Sequence, residues 1–442
     1  LKYLWEPGKT TPEVTARAMK YMESGDKRLI SYETAQHGFE WFGHTPPHEA
    51  LTAYGLLEFT DMQAFIDVDK DMLARTKAFL LSRRDGKGSF KLATRGLDQF
   101  AAVPDAIANI YIVYALTQAG IGHEIAPEYK TALKKALESG DAYQMAMMAL
   151  AADNMKNGAD YQHLMQLLEQ DCREKHLSAV TSCVNSRDVS LRVETLSLYI
   201  MALGRAKTPD TGKMAFLISK IMSEKTYYGY GSTQATVLAL NAIVDYLRIK
   251  GSSPHDGVIR FAVNDRETAP GKDIRAALKN GSNTFAIHYS DEKNALPYSL
   301  EVSYYTLTPP HSPEAELKLT TLLSDTVTRT GETVRMKIEV KNVKPSLQPM
   351  SIAKIGIPAG LSLQPWQLKE LTEKKGAAYY EIFDNYLVLY WMGFRPGETK
   401  TVNLDLKADI PGAYRAKASN CYLYYTPEHK DWQEGTAIKI LP

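Results

Sequence analysis

The stretch His48-Glu49-Ala50-Leu51-Thr52-Ala53-Tyr54-Gly55-Leu56-Leu57-Glu58-Phe59 decides the fold class of the first half of this chain. Ala50, Leu51, Ala53, Tyr54, Leu56, Leu57 and Phe59 leave almost no polar face, so a helix here must be surrounded by protein. The next helical stretch, Asp71 to Ser82, is of the other kind. Its Met72, Leu73, Phe79 and Leu80 make one apolar stripe, while Arg75, Lys77, Arg83 and Arg84 can stay in water. The alternation recurs, with an acidic or amide residue near each buried start: Glu49, Asp105, Asp141, Glu194 and Gln234. The steps between them, 56, 36, 53 and 40 residues, average about 46, the length of a helical hairpin with its loops. Such hairpins stack to share a core that none has alone. The first half is expected to be all-α, an α/α toroid of helical hairpins.

Outward from this repeat, Thr11 and Pro12 signal a helix start, Val14, Ala18, Tyr21 and Met22 share a face, and Gly25 is expected to end that helix. Arg84-Asp85-Gly86-Lys87-Gly88-Ser89 and Tyr228-Gly229-Tyr230-Gly231-Ser232 are turn chemistry. After about Ser253 the apolar period changes to two. Phe285, Ile287 and Tyr289 alternate with polar neighbours, as do Leu300, Val302 and Tyr304. The Pro-rich run Thr308 to Pro313 reads as a linker. Beyond it, Val334-Met336-Ile338-Val340, Tyr386 to Trp391, Val402-Leu404-Leu406 and Tyr422 to Tyr425 predict a terminal β-sandwich, interrupted by one helix at Trp366 to Lys375. The expected architecture is multidomain, all-α over 1–253 and then all-β, in a segment at 254–310 and a sandwich at 314–442.

At 442 residues the chain is long enough for two or three domains with ordinary cores. Lys+Arg 52 against Asp+Glu 51 gives no field to draw nucleic acid or an anionic membrane, and no apolar run reaches the ~20 residues of a membrane span. The chain opens on Leu1-Lys2-Tyr3-Leu4, which reads as cut from something longer. Cys172, Cys183 and Cys421 are too scattered for a disulfide scaffold or zinc motif; a Cys172–Cys183 bridge stays open.

Most catalytic patterns fail. His48-Glu49-Ala50-Leu51-Thr52 lacks the second histidine of a zinc-binding helix, and Pro46 and Pro47 keep His44 and His48 off a shared helical face. No metal or cofactor is implied. The acidic residues at buried helix starts allow an enzyme alternative, because a ring of hairpins points those ends at one cavity, where glycosidases place paired carboxylates. That reading requires Glu49, Asp105 and Glu194 to converge; otherwise such residues merely stabilise helix dipoles.

Tyr3-Leu4, Thr11-Pro12-Glu13-Val14, Phe39-Glu40-Trp41-Phe42-Gly43, Ala50-Leu51-Thr52-Ala53-Tyr54 and Tyr228-Gly229-Tyr230-Gly231-Ser232-Thr233-Gln234-Ala235-Thr236 resemble, in order, the thioester domain of α2-macroglobulin and complement-type proteins. The tail is similar to that family's C-terminal domain, at Gly356-Ile357-Pro358-Ala359-Gly360-Leu361, Pro411-Gly412-Ala413-Tyr414 and Tyr422-Leu423-Tyr424-Tyr425. The segment from about Ser253 to Leu307 resembles the second part of its CUB domain. The resemblance implies an α/α ring and an endopeptidase inhibitor, a single-use acyl-capture protein that traps proteases. In that family the Cys and Gln of a Gly-Cys-x-Glu-Gln motif form an internal thioester, shielded until a bait segment is cut.

That motif is expected just before Leu1, in the remaining N-terminal part of the same macroglobulin. Cys172-Arg173-Glu174-Lys175 is a near miss, with Lys where the acyl-donating Gln must stand. No thioester Cys or Gln and no catalytic residue is assigned within the chain. Where the third complement component uses a His to pass the acyl group to hydroxyls, the alignment places Asp98, which implies direct attack by target amines. Thioesters survive only in the absence of water, which gives Tyr304, Tyr305, Tyr390, Trp391, Tyr424 and Tyr425 a possible shielding role beside ordinary sandwich packing. Gln364 and Leu368 stand where animal members carry receptor-binding lysines, so that function is not carried over. Low cysteine content and the family point to a bacterial-type, extracytoplasmic protein, periplasmic or secreted.

Overall fold

The computed structural model describes residues 11–41, 43, 46–93, 103–174, 176–225, 229–251, 257–268, 274–290 and 305–442. It forms two compact units, one made of residues 1–246 together with 305–442, the other of residues 247–304.

The helical part of the first unit opens with α1 (Pro12–Ile30), where Thr11 Oγ1 accepts from the backbone N–H of Val14, as the Thr-Pro signal predicts. Gly25 does not end it. The helix continues for a further turn, in which Arg28 donates from Nε to Tyr32 Oη at 3.1 Å; the ~1 kcal/mol cost of an interior glycine is too small to stop a helix with such contacts ahead. Then follow α2 (Glu49–Met62), α3 (Lys70–Ser82), α4 (Asp105–Gln118), α5 (Ala126–Ser139), α6 (Ala142–Asn154), α7 (Gly158–Glu174), α8 (Asp188–Gly204), α9 (Thr211–Ser223) and α10 (Thr233–Lys250).

Two layers emerge from the alternation of composition. Helices α2, α4, α6 and α8 pack on one another in series, and α3, α5, α7 and α9 each return over the helix before it. Burial follows: every residue of α6 from Ala142 to Ala152 is buried, whereas α7 buries only Leu164, Leu168 and Asp171. Glu194 is not at a helix start. It lies inside α8, which begins at Asp188, because the polar Ser190 and Arg192 still belong to that helix's first turns. Cys172 and Cys183 are both free thiols, Cys183 being occupied by Tyr143 instead.

In residues 247–304, β1 (Ile259–Val263), β2 (Arg266–Thr268) and β3 (Phe285–Tyr289) form a sheet in the order β2-β1-β3. Asn264 and Asp265, both at positive φ, make the tight β1–β2 turn that such residues favour. Phe261 and Phe285 stack at 6.4 Å, while Ile259 and Ile287 are exposed. Leu300, Val302 and Tyr304, the predicted further alternation, lie outside the described residues.

The C-terminal part contains β4 (Leu317–Leu323), β5 (Val327–Arg329), β6 (Thr333–Asn342), β7 (Ser351–Gly356), β8 (Leu361–Ser362), α11 (Pro365–Glu373), β9 (Tyr379–Phe383), β10 (Tyr386–Trp391), β11 (Thr399–Ala408), β12 (Gly412–Arg415), β13 (Ser419–Leu423), β14 (Thr426–Gln433) and β15 (Ala437–Leu441). Sheets ordered β14-β13-β7-β10-β9 and β4-β6-β11-β8 enclose one core, and β12-β15-β5 adds a third. Strict alternation sends Val334, Met336, Ile338 and Val340 of β6 inward and leaves its charged residues outside. The helix expected at Trp366 to Lys375 is α11, which buries Leu368 on this core. Asp431 Oδ2 and Gln433 Oε1 of β14 accept from the backbone N–H groups of Leu319 and Thr321, joining the two larger sheets at one edge.

Candidate functional site

The site is where the sandwich meets the helical layers. The β13–β14 hairpin pairs Leu423 with Thr426, so Tyr424 and Tyr425 are its two turn residues. Two-residue hairpin turns normally use Gly or Asn at positive φ; neither tyrosine has it. A register shift between Cys421 and Leu423 accommodates the turn and re-aims its tip. The tip lands on Trp41, whose ring lies 6.3 Å from that of Tyr424 and 6.1 Å from that of Tyr425. Tyr390 extends the cluster, 6.3 Å from Tyr424, and donates its hydroxyl to Glu381 Oε2 at 2.6 Å. Glu381 also receives Arg28 Nη2 of α1 at 3.3 Å. Arg28, Trp41, Glu381, Tyr390 and Tyr424 border a cavity of about 240 Å³, which Tyr54, Gly55, Glu58 and Phe59 of α2 also line. Burial pushes the Glu58 carboxyl up, against the lowering effect of its hydrogen bond to Tyr54.

Behind Tyr425 the inner helices converge on a buried polar cluster. Tyr143 of α6 donates to Cys183 Sγ at 3.2 Å, and the Cys183 backbone N–H donates back to its hydroxyl oxygen at 3.3 Å. Glu194 of α8 accepts at Oε1 from Ser186 (2.6 Å) and Ser232 (3.4 Å). Burial raises its carboxyl to about 7, with Ser186, Ser182 and Ser232 pulling the other way. Burial also holds the Tyr425 phenol far above its usual range, and the charges of Tyr424, Tyr54, Cys183 and Glu194 act on it in the same direction. Ser190 Oγ accepts from the Ser232 N–H at 2.9 Å and contacts Glu428 of β14 at 3.4 Å, a second tie between helices and sandwich.

Gly231 makes that arrangement possible. Its φ is +100°, and a Cβ there would lie 2.5 Å from Ser190 Oγ. Gly231→Ala is expected to lower the melting stability of the chain by about 1–3 kcal/mol through backbone strain and displacement of Ser190. An unchanged denaturation curve would show that the turn relaxes freely.

Of the aromatic residues expected to shield, Tyr390, Tyr424 and Tyr425 meet here. Trp391 does not: the two-residue period of β10 turns it to the sandwich interior, where it packs edge-on against Phe394 at 5.7 Å. Tyr305 is fully exposed, and Tyr304 and Asp98 lie outside the described residues. The carboxylates of the enzyme alternative are separately engaged. Glu49 accepts from Arg83 Nε (2.8 Å) and the Ala93 N–H (2.7 Å), Asp105 is exposed, and Glu194 holds serines. None of the three lines either of the described cavities. Sequence reasoning did not connect Trp41, Arg28 and Glu381 to the tyrosines. The signal it held was a hairpin turn built from two tyrosines with no glycine or asparagine.

Helical hairpins in two layers, docked through an aromatic hairpin tip onto a β-sandwich, define a helical-plus-sandwich assembly whose shared boundary is the candidate site. Residues 1–246 match the A-macroglobulin TED domain, and the chain belongs to that family. It is 23% identical to ovostatin of Gallus gallus over 293 residues, which is 61% of this chain and 20% of that protein. In fold it is similar to native Escherichia coli α2-macroglobulin, with a TM-score of 0.68 at 12% identity, over all of this chain and 29% of that one. It is likewise similar to the E. coli α2-macroglobulin piece running from domain MG7 to the C-terminus, with a TM-score of 0.65 at 12% identity, over 96% of this chain and 68% of that one. The chain thus spans about a fifth of the curated relative it matches. No described helix is long and apolar enough to cross a membrane.

Proposed function

We propose that this chain is the C-terminal portion of an α2-macroglobulin-like endopeptidase inhibitor that traps proteases outside the cytoplasm. Capture is covalent, through a thioester in the segment before Leu1. A target lysine amine attacks the acyl carbon, an amide bond forms, the C–S bond breaks, and the sulfur leaves as a thiol after taking up the proton. The protein is consumed in one event and does not turn over. With Asp98 in place of an imidazole, the amine attacks directly.

The observation that carries this reading is the docking of Tyr424 and Tyr425 on Trp41 beside an aromatic-walled cavity. An acyl group next to that cavity would be kept from water by Trp41, Tyr390 and Tyr424, and undocking of the sandwich would expose it. The exposed Ile259 and Ile287 of residues 247–304 fit a CUB domain that needs further strands from the N-terminal part of the same protein.

The test is methylamine uptake by the complete protein. One methylamine per chain should be incorporated with release of one thiol, while the 442-residue chain alone takes up none. Trp41→Ala or Tyr424→Ala should speed uptake by about tenfold, because each opens the aromatic wall. A complete protein that neither incorporates methylamine nor frees a thiol would reduce the assembly to a non-covalent scaffold.

A further inference from the structure

Tyr390 and Tyr424 also border a second, larger cavity, of about 640 Å³, between the first turn of α10 and the outer face of the β14-β13-β7-β10 strands. Cross-strand register lays out its floor in two rows. In one, Ile352 stands opposite both Tyr390 and Tyr422; in the next, Asn420 stands opposite both Lys354 and Trp432. Residues two apart along a strand share a face, so both rows point the same way, away from the sandwich core. Flat rings and hydrogen-bonding side chains therefore stand side by side on one surface.

Two features mark this surface as a ligand site and not a packing face. Asn420 is 4% exposed, lines the cavity, and its Oδ1 accepts no hydrogen bond from the described residues. A buried amide oxygen without a donor costs about 1–3 kcal/mol, which a hydroxyl placed in the cavity would remove. The second feature is the mixture of chemistry around it. Tyr422 and Trp432 bring flat apolar faces, Thr233 and Thr236 of α10 bring hydroxyls, and Lys354 brings an ammonium that stands 4.1 Å over the ring of Tyr386. That combination matches a pyranose, which carries C–H groups on its faces and hydroxyls around its rim. It does not match a peptide strand, because β13, β7 and β10 are each paired on both sides and offer side chains without open backbone groups.

We propose that this cavity binds a neutral saccharide, stacked on Tyr422 and Trp432, with one of its hydroxyls donating to Asn420 Oδ1 and others bonded to Thr233 and Lys354. The site is independent of the thioester reading. Its volume of about 640 Å³ falls within the roughly 300–1,000 Å³ of small-molecule sites and has room for a disaccharide. Because the walls come from α10 and from the sandwich, an occupant touches both and stabilises their docked arrangement.

Titration calorimetry and thermal melts of the 442-residue chain with maltose, cellobiose and N,N′-diacetylchitobiose test this, with cyclohexanol as a ring that carries a single hydroxyl. Saturable binding of at least one disaccharide and a raised melting temperature are expected. Trp432→Ala and Asn420→Ala should each weaken that binding about tenfold, and Trp432→Phe, which keeps a flat ring, should stay within about threefold of the unsubstituted chain. Trp432 is half-buried and Thr233 exposed, so Trp432→Ala and Thr233→Val decide the matter even where loss of the buried Asn420 side chain unfolds the sandwich. No saturable binding of any of these disaccharides, or binding that Trp432→Ala and Thr233→Val both retain in full, would overturn the proposal. So would cyclohexanol binding as tightly as the sugars, which would make the cavity a plain apolar slot.

Discussion

Tyr143→Ala is expected to destabilise the helical region by about 3–5 kcal/mol, read from urea or thermal denaturation followed by far-ultraviolet circular dichroism. The side chain is fully buried in α6, where every residue from Ala142 to Ala152 is buried, so its removal leaves a cavity that neighbouring helices cannot close. It also strands the Cys183 backbone N–H, which donates to the Tyr143 hydroxyl. Tyr143→Phe separates the two effects, since it keeps the ring and loses only the polar contacts, and should cost about 1 kcal/mol. Equal losses in the two variants would mean that the hydroxyl, not the ring volume, holds this centre together.

A second large effect should appear as a pH dependence. Glu194 is fully buried, with its folded-state carboxyl raised from 4.5 to about 7. The folded state therefore binds this proton more tightly than the unfolded chain does. The contribution is fully present below about pH 4.5 and is lost as pH rises through about 7, an interval worth about 3 kcal/mol. Tyr54, Tyr143, Cys183 and Tyr425 surround the carboxyl without titrating in that window, because burial pushes each of them upward. Glu194→Gln keeps an acceptor for Ser186 and Ser232 and removes the titration. Its stability should lack this slope and exceed that of the unsubstituted chain above about pH 8. Parallel pH profiles for the two proteins would assign the slope to other groups.

Both expectations concern a centre whose members were individually visible in the sequence but whose meeting was not. The apolar faces of α2 and α6 stood out by composition, as did the Thr11-Pro12 start of α1, the helix α11 and the alternation of β6 and β11. Each of these depends on neighbours within a few residues. Glu194 was misplaced to a helix start because an acidic residue before an apolar run looks the same whether it caps the helix or is buried two turns inside. Gly25 misled for a similar reason, since its local cost is smaller than the contacts that continue α1.

The shielding tyrosines divide on the same principle. That Tyr390 and Trp391 face opposite ways follows from the period of a strand, but which face meets the helical layers does not. Arg28 and Glu381 are 353 positions apart, and nothing near either of them announces the other. The sequence by itself determined the two kinds of half, the hairpin repeat, the strand phases and a family resemblance resting on motif order, because each is written in local spacing and composition. Only the tertiary structure decided that a two-tyrosine hairpin tip docks on Trp41, that Glu49 and Glu194 are held by separate partners, and that Arg28 reaches Glu381. Those outcomes depend on how twisted sheets and stacked helices bring distant residues together, a long-range packing result that no window of sequence contains.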